Sequence, residues 1–449
     1  MRKFIKTFRS KTYGRCYLIS KLHAGFINID PELCQVLEKY IEDKPHATLI
    51  ETRKILMSYF PGEIVDRLTS EENYSKKKYR QNTIELYPSF SCNFHCNYCE
   101  QRNSMNQFYK KYHKQTMDEL TFENSVKKIF LVDTHSDIAF PFYNLIYMGG
   151  EPLLHAEFIE STFKKCKTML IDIGVEEPVH ARIITNGSLI NDNVLAMIKR
   201  NNFNVTVSLD GPESLAGKQR SKYEQTLRGI NSLISENIIP RIYCVYTPET
   251  VTYLDEIYSF FMNIGIEEVG LIPLFQLGYL PEDLYEGFDK LYDLLLKWTI
   301  SNKKFHPILK GRLMMILIDK PDWLRKGCKY FYPFASMVLP NGDVFACINN
   351  GGKYFYGNVN NDDFSFFESK NYAFLTSDEF RMQNICDGCD YQGVCITWIG
   401  KCEAFSNVTV DTCPQKVEID IIFEKIIPRL DDLELAQDDL REQMQLMMK

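Results

Sequence analysis

Between residues 83 and about 300 the chain alternates short apolar or β-branched runs with longer amphipathic ones, and this alternation restricts the fold more than any other feature. Thr83–Tyr87 alternates polar and apolar residues and reads as a strand. Further strands are expected at Asn144–Met148, Ala181–Thr185, Val205–Leu209, Arg241–Val245 and Val269–Leu274. Helical periodicity fills the gaps at Phe122–Val132, Ala156–Ile171, Asp192–Arg200, Tyr223–Glu236 and Leu254–Ile264, and a long helix, Asp283–Thr299, closes the set. Six βα units imply parallel pairing and right-handed crossovers. The fold class is α/β, and the expected form is a partial (β/α)6 TIM barrel rather than a closed eight-stranded one.

Such folds place their chemistry on the loops leaving the C-terminal ends of strands. The first of these loops is Ser91-Cys92-Asn93-Phe94-His95-Cys96-Asn97-Tyr98-Cys99-Glu100, with cysteines spaced C-x3-C-x2-C. A four-iron cluster usually takes four cysteine ligands. Three leave one iron open, and an open metal position signals reactivity, as it does in zinc sites. The alternatives are a zinc knuckle or cysteines that only pack. Zinc favours paired C-x2-C knuckles, and this loop has one pair.

The rest of the composition agrees with metal. The chain has 449 residues, a length suggesting two or three domains, with 45% hydrophobic and 25% charged residues. A net charge of −7 without a basic block argues against a nucleic-acid partner. No apolar run reaches the roughly 18–20 residues of a membrane helix. Met1–Lys6 lacks the apolar core of a signal peptide, so the expected location is the cytoplasm, where thiols stay reduced. Fourteen cysteines there argue for metal rather than disulfides. Ten fall in two clusters, while Cys16, Cys34, Cys166 and Cys244 read as small buried hydrophobes.

With Tyr98 before its last cysteine, the loop resembles the signature of radical S-adenosylmethionine (SAM) enzymes. The resemblance implies that Cys92, Cys96 and Cys99 bind a [4Fe–4S] cluster whose open iron takes the amino and carboxylate groups of SAM. Electron transfer then releases a 5′-deoxyadenosyl radical. It places Tyr98 near the adenine. Gly149-Gly150-Glu151-Pro152 follows the second strand; two glycines let the backbone pass close to a ligand with amides toward its charged groups. Alone it would read as a turn before a helix. In the family this segment holds the methionine amino group. Thr185-Asn186-Gly187 and Ser208-Leu209-Asp210-Gly211-Pro212 resemble SAM-contacting positions, which implies roles for Asn186, Ser208 and Asp210. Ser208 is the better candidate, since Asn186 and Asp210 also suit turns. Arg220 matches the arginine that pairs with the SAM carboxylate, for which a guanidinium fork is suited; the alternative is a surface arginine. The family's His-Asp pair is replaced by Ala216-Gly217.

Residues 1–72 read as a separate α+β unit of short strands followed by three helices, at Asp30-capped Leu33–Tyr40, Leu49–Tyr59 and Gly62–Leu68. This order resembles the winged-helix leader-recognition domains of ribosomally made peptide systems, which bind a leader as an added strand; a cap without function is the alternative. Polar residues 71–81 read as a linker.

Residues 301–415 hold the second cysteine cluster. Asn341-Gly342-Asp343 is a hairpin turn that places Cys347 on a returning strand. The order Cys328, Gly342, Cys347, Cys386, Cys389, Cys395, Cys402, Cys413 resembles a SPASM domain. That resemblance implies one auxiliary [4Fe–4S] cluster on Cys386, Cys389, Cys395 and Cys413. A second would use Cys328, Cys347 and Cys402, with one iron left for another ligand. Ile399 stands where the family has a cysteine, and Cys402 carries its role. Structural zinc is the alternative. Residues 416–449, with Leu433, Leu435, Leu440 and Met447, read as an amphipathic, solvated cap or dimer surface.

Three clusters with SAM imply an enzyme acting on a ribosomally made precursor peptide, supplied by a flavodoxin- or ferredoxin-type electron donor. It would take hydrogen from the peptide and close a thioether, ether or carbon–carbon cross-link. No side chain is assigned a catalytic role beyond the cluster and SAM. The second expectation is an anaerobic sulfatase-maturating enzyme; its base, an aspartate after the Cys347 equivalent, is here Ile348, which cannot take a proton. The third is a metal-stabilised binding protein without turnover.

Overall fold

The computed structural model describes residues 5–20, 26–69, 79–80, 83–99, 107–131, 137–138, 143–174, 178–217, 219–274, 278–317, 335–347, 353–375, 389–391, 395 and 408–432. The chain opens with an antiparallel sheet, β1 (Ile5–Arg9), β2 (Cys16–Ser20) and β3 (Phe26–Ile29), paired in that order. Three helices follow, α1 (Pro31–Asp43), α2 (Leu49–Leu56) and α3 (Gly62–Thr69). Asp30 caps α1 by accepting from the Leu33 N–H at 2.7 Å. Thr48 and Glu51 form a reciprocal capping box on α2. One sheet face and the helices share a small core of Leu18, Leu37, Leu56 and Val65.

Two short strands, β4 (Tyr79–Arg80) and β6 (Asp137–Ile138), pair with each other. The main sheet begins with β5 (Thr83–Leu86) and continues through β7 (Tyr143–Tyr147), β8 (Val179–Thr185), β9 (Asn204–Ser208), β10 (Arg241–Tyr246) and β11 (Val269–Pro273). These six strands lie in chain order and every neighbouring pair is parallel. The intervening helices are α4 (Gln107–Tyr112), α5 (Glu119–Ser125), α6 (Ala156–Ile171), α7 (Asp192–Asn201), the single turn α8 (Glu213–Ala216), α9 (Tyr223–Ser235) and α10 (Leu254–Asn263). Then come α11 (Pro281–Asn302) and α12 (Pro307–Leu317).

Strand alternation sends Ile84, Leu86, Leu145, Tyr147, Ile183, Val207, Ile242 and Cys244 into one buried core. The expected helix Phe122–Val132 is displaced: Asp118 caps α5 through the Thr121 N–H at 2.7 Å, and Val126–Phe130 is a π turn. On the other side of β5 the sheet extends through β12 (Ala335–Val338), parallel to it, and antiparallel β13 (Asp343–Phe345) and β14 (Phe355–Asn358). Gly342, at φ +87°, makes the turn between β12 and β13.

As far as Asp432, the C-terminal segment corrects the expectation of a solvated cap. Helix Pro414–Ile421 and the turns to Asp432 bury Ile421, Ile422, Phe423 and Ile426. The Glu418 carboxylate, also buried, accepts from the Tyr292 hydroxyl at 2.8 Å. Phe423 then receives Phe8, Tyr17 and Phe26 of the N-terminal sheet at centroid distances of 5.6, 6.0 and 5.1 Å. Leu433, Leu435, Leu440 and Met447 lie outside the described residues, as does most of the expected linker. Among the described residues no helix is long and apolar enough to cross a membrane.

Candidate active site

The three-cysteine loop leaves the C-terminal end of β5 and is held by the ends of its neighbours. After β7, the Gly150 and Glu151 N–H groups donate to the Ser89 and Ser91 carbonyls at 3.1 and 2.8 Å. A Cβ on Gly149 would lie 2.5 Å from the Ser89 oxygen, and one on Gly150 would lie 2.1 Å from that of Ser91. The glycine pair therefore admits the cysteine loop itself. Of the two glycine amides expected to face a ligand, that of Gly150 is spent on the loop, as is the neighbouring Glu151 N–H.

The Glu151 side chain is buried and binds protein. It accepts from the Leu153 N–H at 3.0 Å, the Thr185 hydroxyl at 2.6 Å and the Asn186 N–H at 2.7 Å. Burial pushes its carboxyl up, and these donors pull against that. Pro152 follows in the first turn of a short helix. From the end of β8, the Asn186 amide donates to Asn93 at 2.8 Å and lies 3.9 Å from the Cys92 sulfur. Ser188 donates to Asn186 at 2.7 Å and takes a bond from Asn93 at 2.9 Å.

From the end of β9, Asp210 sends its side chain back into the protein. One oxygen accepts from the Val245 N–H at 2.9 Å; the other accepts from the Tyr98 hydroxyl at 2.6 Å and the Arg220 Nε at 2.8 Å. Burial opposes the charge of Arg220, but Asp210, Tyr98 and Cys96 hold the guanidinium charged. The two terminal nitrogens of Arg220 make no hydrogen bond among the described residues. Ser208, half-buried at the end of β9, makes no side-chain hydrogen bond among them either. The Asn97 N–H donates to the Gln219 carbonyl at 2.9 Å, and the His95 N–H donates to the Ser221 hydroxyl at 2.9 Å.

Cys92, Cys96 and Cys99 form no disulfide among the described residues and are half-buried on this loop. Burial pushes the Cys96 thiol up, Arg220 opposes it, and Cys99, Asp210 and Cys92 add negative potential. Among the described residues no three Cys, His, Asp or Glu side chains converge on one metal ion. A cubane asks for something else, because each thiolate meets its own iron. Three partly exposed thiols on one loop, with Cys96 beside the Arg220 charge, are the donor set that group takes.

Sequence reasoning missed Asn93, Ser188, Gln219 and Ser221, which clamp the loop; Asn93, inside the motif, was the one available signal. Ala216 is buried, and a Cβ on Gly217 would lie 2.7 Å from the Glu213 oxygen, so the α8 turn fills this corner.

In the second cysteine group, Cys413 has its thiol pushed up to about 12 by burial, with Cys395 and Cys389 adding to the rise. Cys347 is buried just after β13. Cys328, Cys386, Cys402, Ile348 and Ile399 lie outside the described residues.

Residues 86–261 match the radical SAM superfamily. The chain carries a radical SAM domain. The superfamily is enzymatic and uses a [4Fe–4S] cluster and SAM. The chain is 23% identical over 437 residues to the radical SAM cyclopropyl synthase TigE of Paramaledivibacter caminithermalis, covering 88% of each. It is 26% identical over 282 residues to a cysteine-type anaerobic sulfatase-maturating enzyme of Clostridium novyi, covering 58% of this chain and 66% of that one. Native anSMEcpe with bound AdoMet and Cp18Cys peptide shares the fold, with a TM-score of 0.61 at 17% identity, covering 78% of this chain and 99% of that one.

Proposed function

We propose that this radical SAM enzyme modifies a ribosomally made precursor peptide, closing a thioether, ether or carbon–carbon cross-link. The carrying observation is the loop of Cys92, Cys96 and Cys99 locked onto Gly149–Gly150, Asn186 and the Tyr98–Asp210–Arg220 triad. Cys92, Cys96 and Cys99 would hold a [4Fe–4S] cluster, which with SAM supplies a carbon-centred radical. Arg220 offers its terminal nitrogens to the SAM carboxylate, with its charge set by Asp210. Tyr98, oriented by the same carboxylate, would lie near the adenine. Gly149–Pro152, Asn186 and Ser208 shape the rest of the SAM pocket.

Cys386, Cys389, Cys395 and Cys413 would hold one auxiliary cluster, and Cys328, Cys347 and Cys402 another. The N-terminal sheet and helices would bind a leader, and a flavodoxin or ferredoxin in the cytoplasm would supply electrons. The likeness to TigE over 88% of both chains supports the radical SAM reading, and the Cp18Cys peptide bound to anSMEcpe supports a peptide as the substrate. The sulfatase-maturating reading has the Clostridium novyi likeness in its favour and Ile348 against it.

Anaerobic reconstitution should give about twelve irons per chain if all three cubanes form. Reduction with SAM should then yield 5′-deoxyadenosine. The peptide encoded by a neighbouring short open reading frame should lose two hydrogens per event by mass spectrometry. Loss of two hydrogens with exchange of sulfur for oxygen would instead establish formylglycine formation. Zinc without 5′-deoxyadenosine would leave the binding-protein reading.

A further inference from the structure

β11 ends the main sheet, and among the described residues no strand pairs with it opposite β10. Two bonds show which way its backbone faces. The Ile242 N–H donates to the Glu268 carbonyl, and the Leu274 N–H donates to the Tyr246 carbonyl, both at 2.9 Å. Positions alternate along a strand, so Gly270 and Ile272 also face β10. Val269 and Leu271 turn their N–H and C=O groups the other way, where they make no hydrogen bond among the described residues. Pro273, next in that outward row, has no N–H to pair, as suits an edge strand.

This edge is only partly exposed: Val269 is buried and Leu271 half-buried. Unpaired backbone groups in such a place are costly. They border a cavity of about 1000 Å³, which reaches Pro307, Ile308, Gly311 and Arg312 of α12. That is the upper end of the ~300–1,000 Å³ of ligand pockets. A Cβ on Gly311 would meet open space. The cavity's charges are uneven, with two arginines against three glutamates. Arg312 pairs with Glu418 at 3.0 Å and Arg241 with Glu268 at 3.3 Å. Glu267, exposed, has no ion pair among the described residues.

We propose that an extended peptide segment with a basic side chain binds here as an added strand on β11. Its backbone pairs with Val269 and Leu271, its basic side chain meets Glu267, and its side chains fill the space before Gly311. This rests on the reading that the substrate is a peptide, and it names a surface that holds one segment of it.

The probe is a randomised library of capped hexapeptides presented to the full chain. Bound peptides should be enriched in Lys or Arg. N-methylation of alternate residues in a bound peptide should cost about tenfold in affinity, and of the intervening residues little, because only every second N–H pairs with the edge. Gly311→Phe, which projects a ring into the cavity, should weaken binding by a similar factor. So should Leu271→Pro, which deletes one outward N–H and no bond to β10; it covers the case in which Gly311→Phe fails to fold.

The idea is overturned if no hexapeptide binds, if N-methylation shows no period of two, or if neither folded variant loses affinity. A concentration-dependent dimer abolished by both variants would assign the edge to a second copy and also overturn it. Assaying 5′-deoxyadenosine in the same preparations separates the two claims: its absence removes the enzyme reading and leaves the peptide-binding result to stand or fall alone.

Discussion

The Tyr98 hydroxyl donates a 2.6 Å hydrogen bond to Asp210, a residue 112 positions away. The same carboxylate oxygen receives the Arg220 Nε at 2.8 Å. The cysteine loop and the arginine are thereby positioned by one buried acid whose side chain is 1% exposed. Asp210→Ala leaves the buried Arg220 charge uncompensated and should destabilise the protein by about 3–5 kcal/mol. Tyr98→Phe removes one hydrogen bond to a charged group and should cost about 1.5–3 kcal/mol. Denaturant unfolding of both variants measures this, and equal stability of wild type and Asp210→Ala would refute it.

Gly150→Ala should disrupt the same loop from the other side. Its new methyl would sit 2.1 Å from the Ser91 oxygen, which is backbone and cannot swing away. Reconstituted Gly150→Ala should hold less iron than wild type and make little 5′-deoxyadenosine. Gly62→Ala, whose Cβ meets open space, is the control and should keep both.

The N-terminal sheet is anchored by a residue near the other end of the chain. The buried Glu424 carboxylate accepts from the Lys11 and Thr12 N–H groups at 2.9 and 2.6 Å and from the Ser10 hydroxyl at 3.4 Å. Glu424→Ala should cost about 1.5–3 kcal/mol by removing hydrogen bonds to a charged group and should speed amide exchange in β1 and β2. Unchanged exchange there would show that the aromatic contacts of Phe423 suffice. Deleting residues 1–72 strips Phe8, Tyr17 and Phe26 from Phe423 and should lower the thermal midpoint of the remaining chain.

His306 supplies an acid-sensitive element away from the site. Burial, with Lys304 adding to it, lowers its folded pKa from 6.5 to about 4. Its Nδ1 accepts from the Ile308 N–H at 3.3 Å, which requires the unprotonated ring. Below about pH 6.5 the unfolded chain takes up a proton that the folded imidazole refuses. Stability is therefore complete above that pH and falls as pH drops toward about 4, by up to about 3 kcal/mol. Unfolding free energies across this window should slope in wild type and flatten in His306→Gln.

Cys96→Ala should abolish SAM cleavage and remove about four irons, the content of one cubane. Cys389→Ala should lose a similar amount of iron yet keep some 5′-deoxyadenosine. Equal loss of activity in both would show that the two cysteine groups do not act separately.

Much of the architecture was legible because it is local. Helix Ala156–Ile171 is found with its expected bounds, since apolar spacing and solvent exposure act within a few turns. The six parallel strands lie within two residues of their expected ends for the same reason. The π turn after α5 was not legible: five residues of shifted pairing carry no pattern of their own. Nor was the burial of 414–432, whose charged residues read as a solvated face until Tyr292, Arg312 and Ser10 appeared as partners of Glu418 and Glu424.

The amino-acid order alone determined the strand–helix alternation, the three-cysteine loop at a strand end and the residue types able to meet a cluster and SAM. Those depend on periodicity and spacing, which a chain carries before it folds. Only tertiary structure decided that the glycine pair makes room for the loop, that Asp210 serves Tyr98 and Arg220, and that both ends of the chain close on Phe423. These relationships join residues scores to hundreds of positions apart. Their energy comes from burial and from the pairing of desolvated charges, which exist only once the chain has packed.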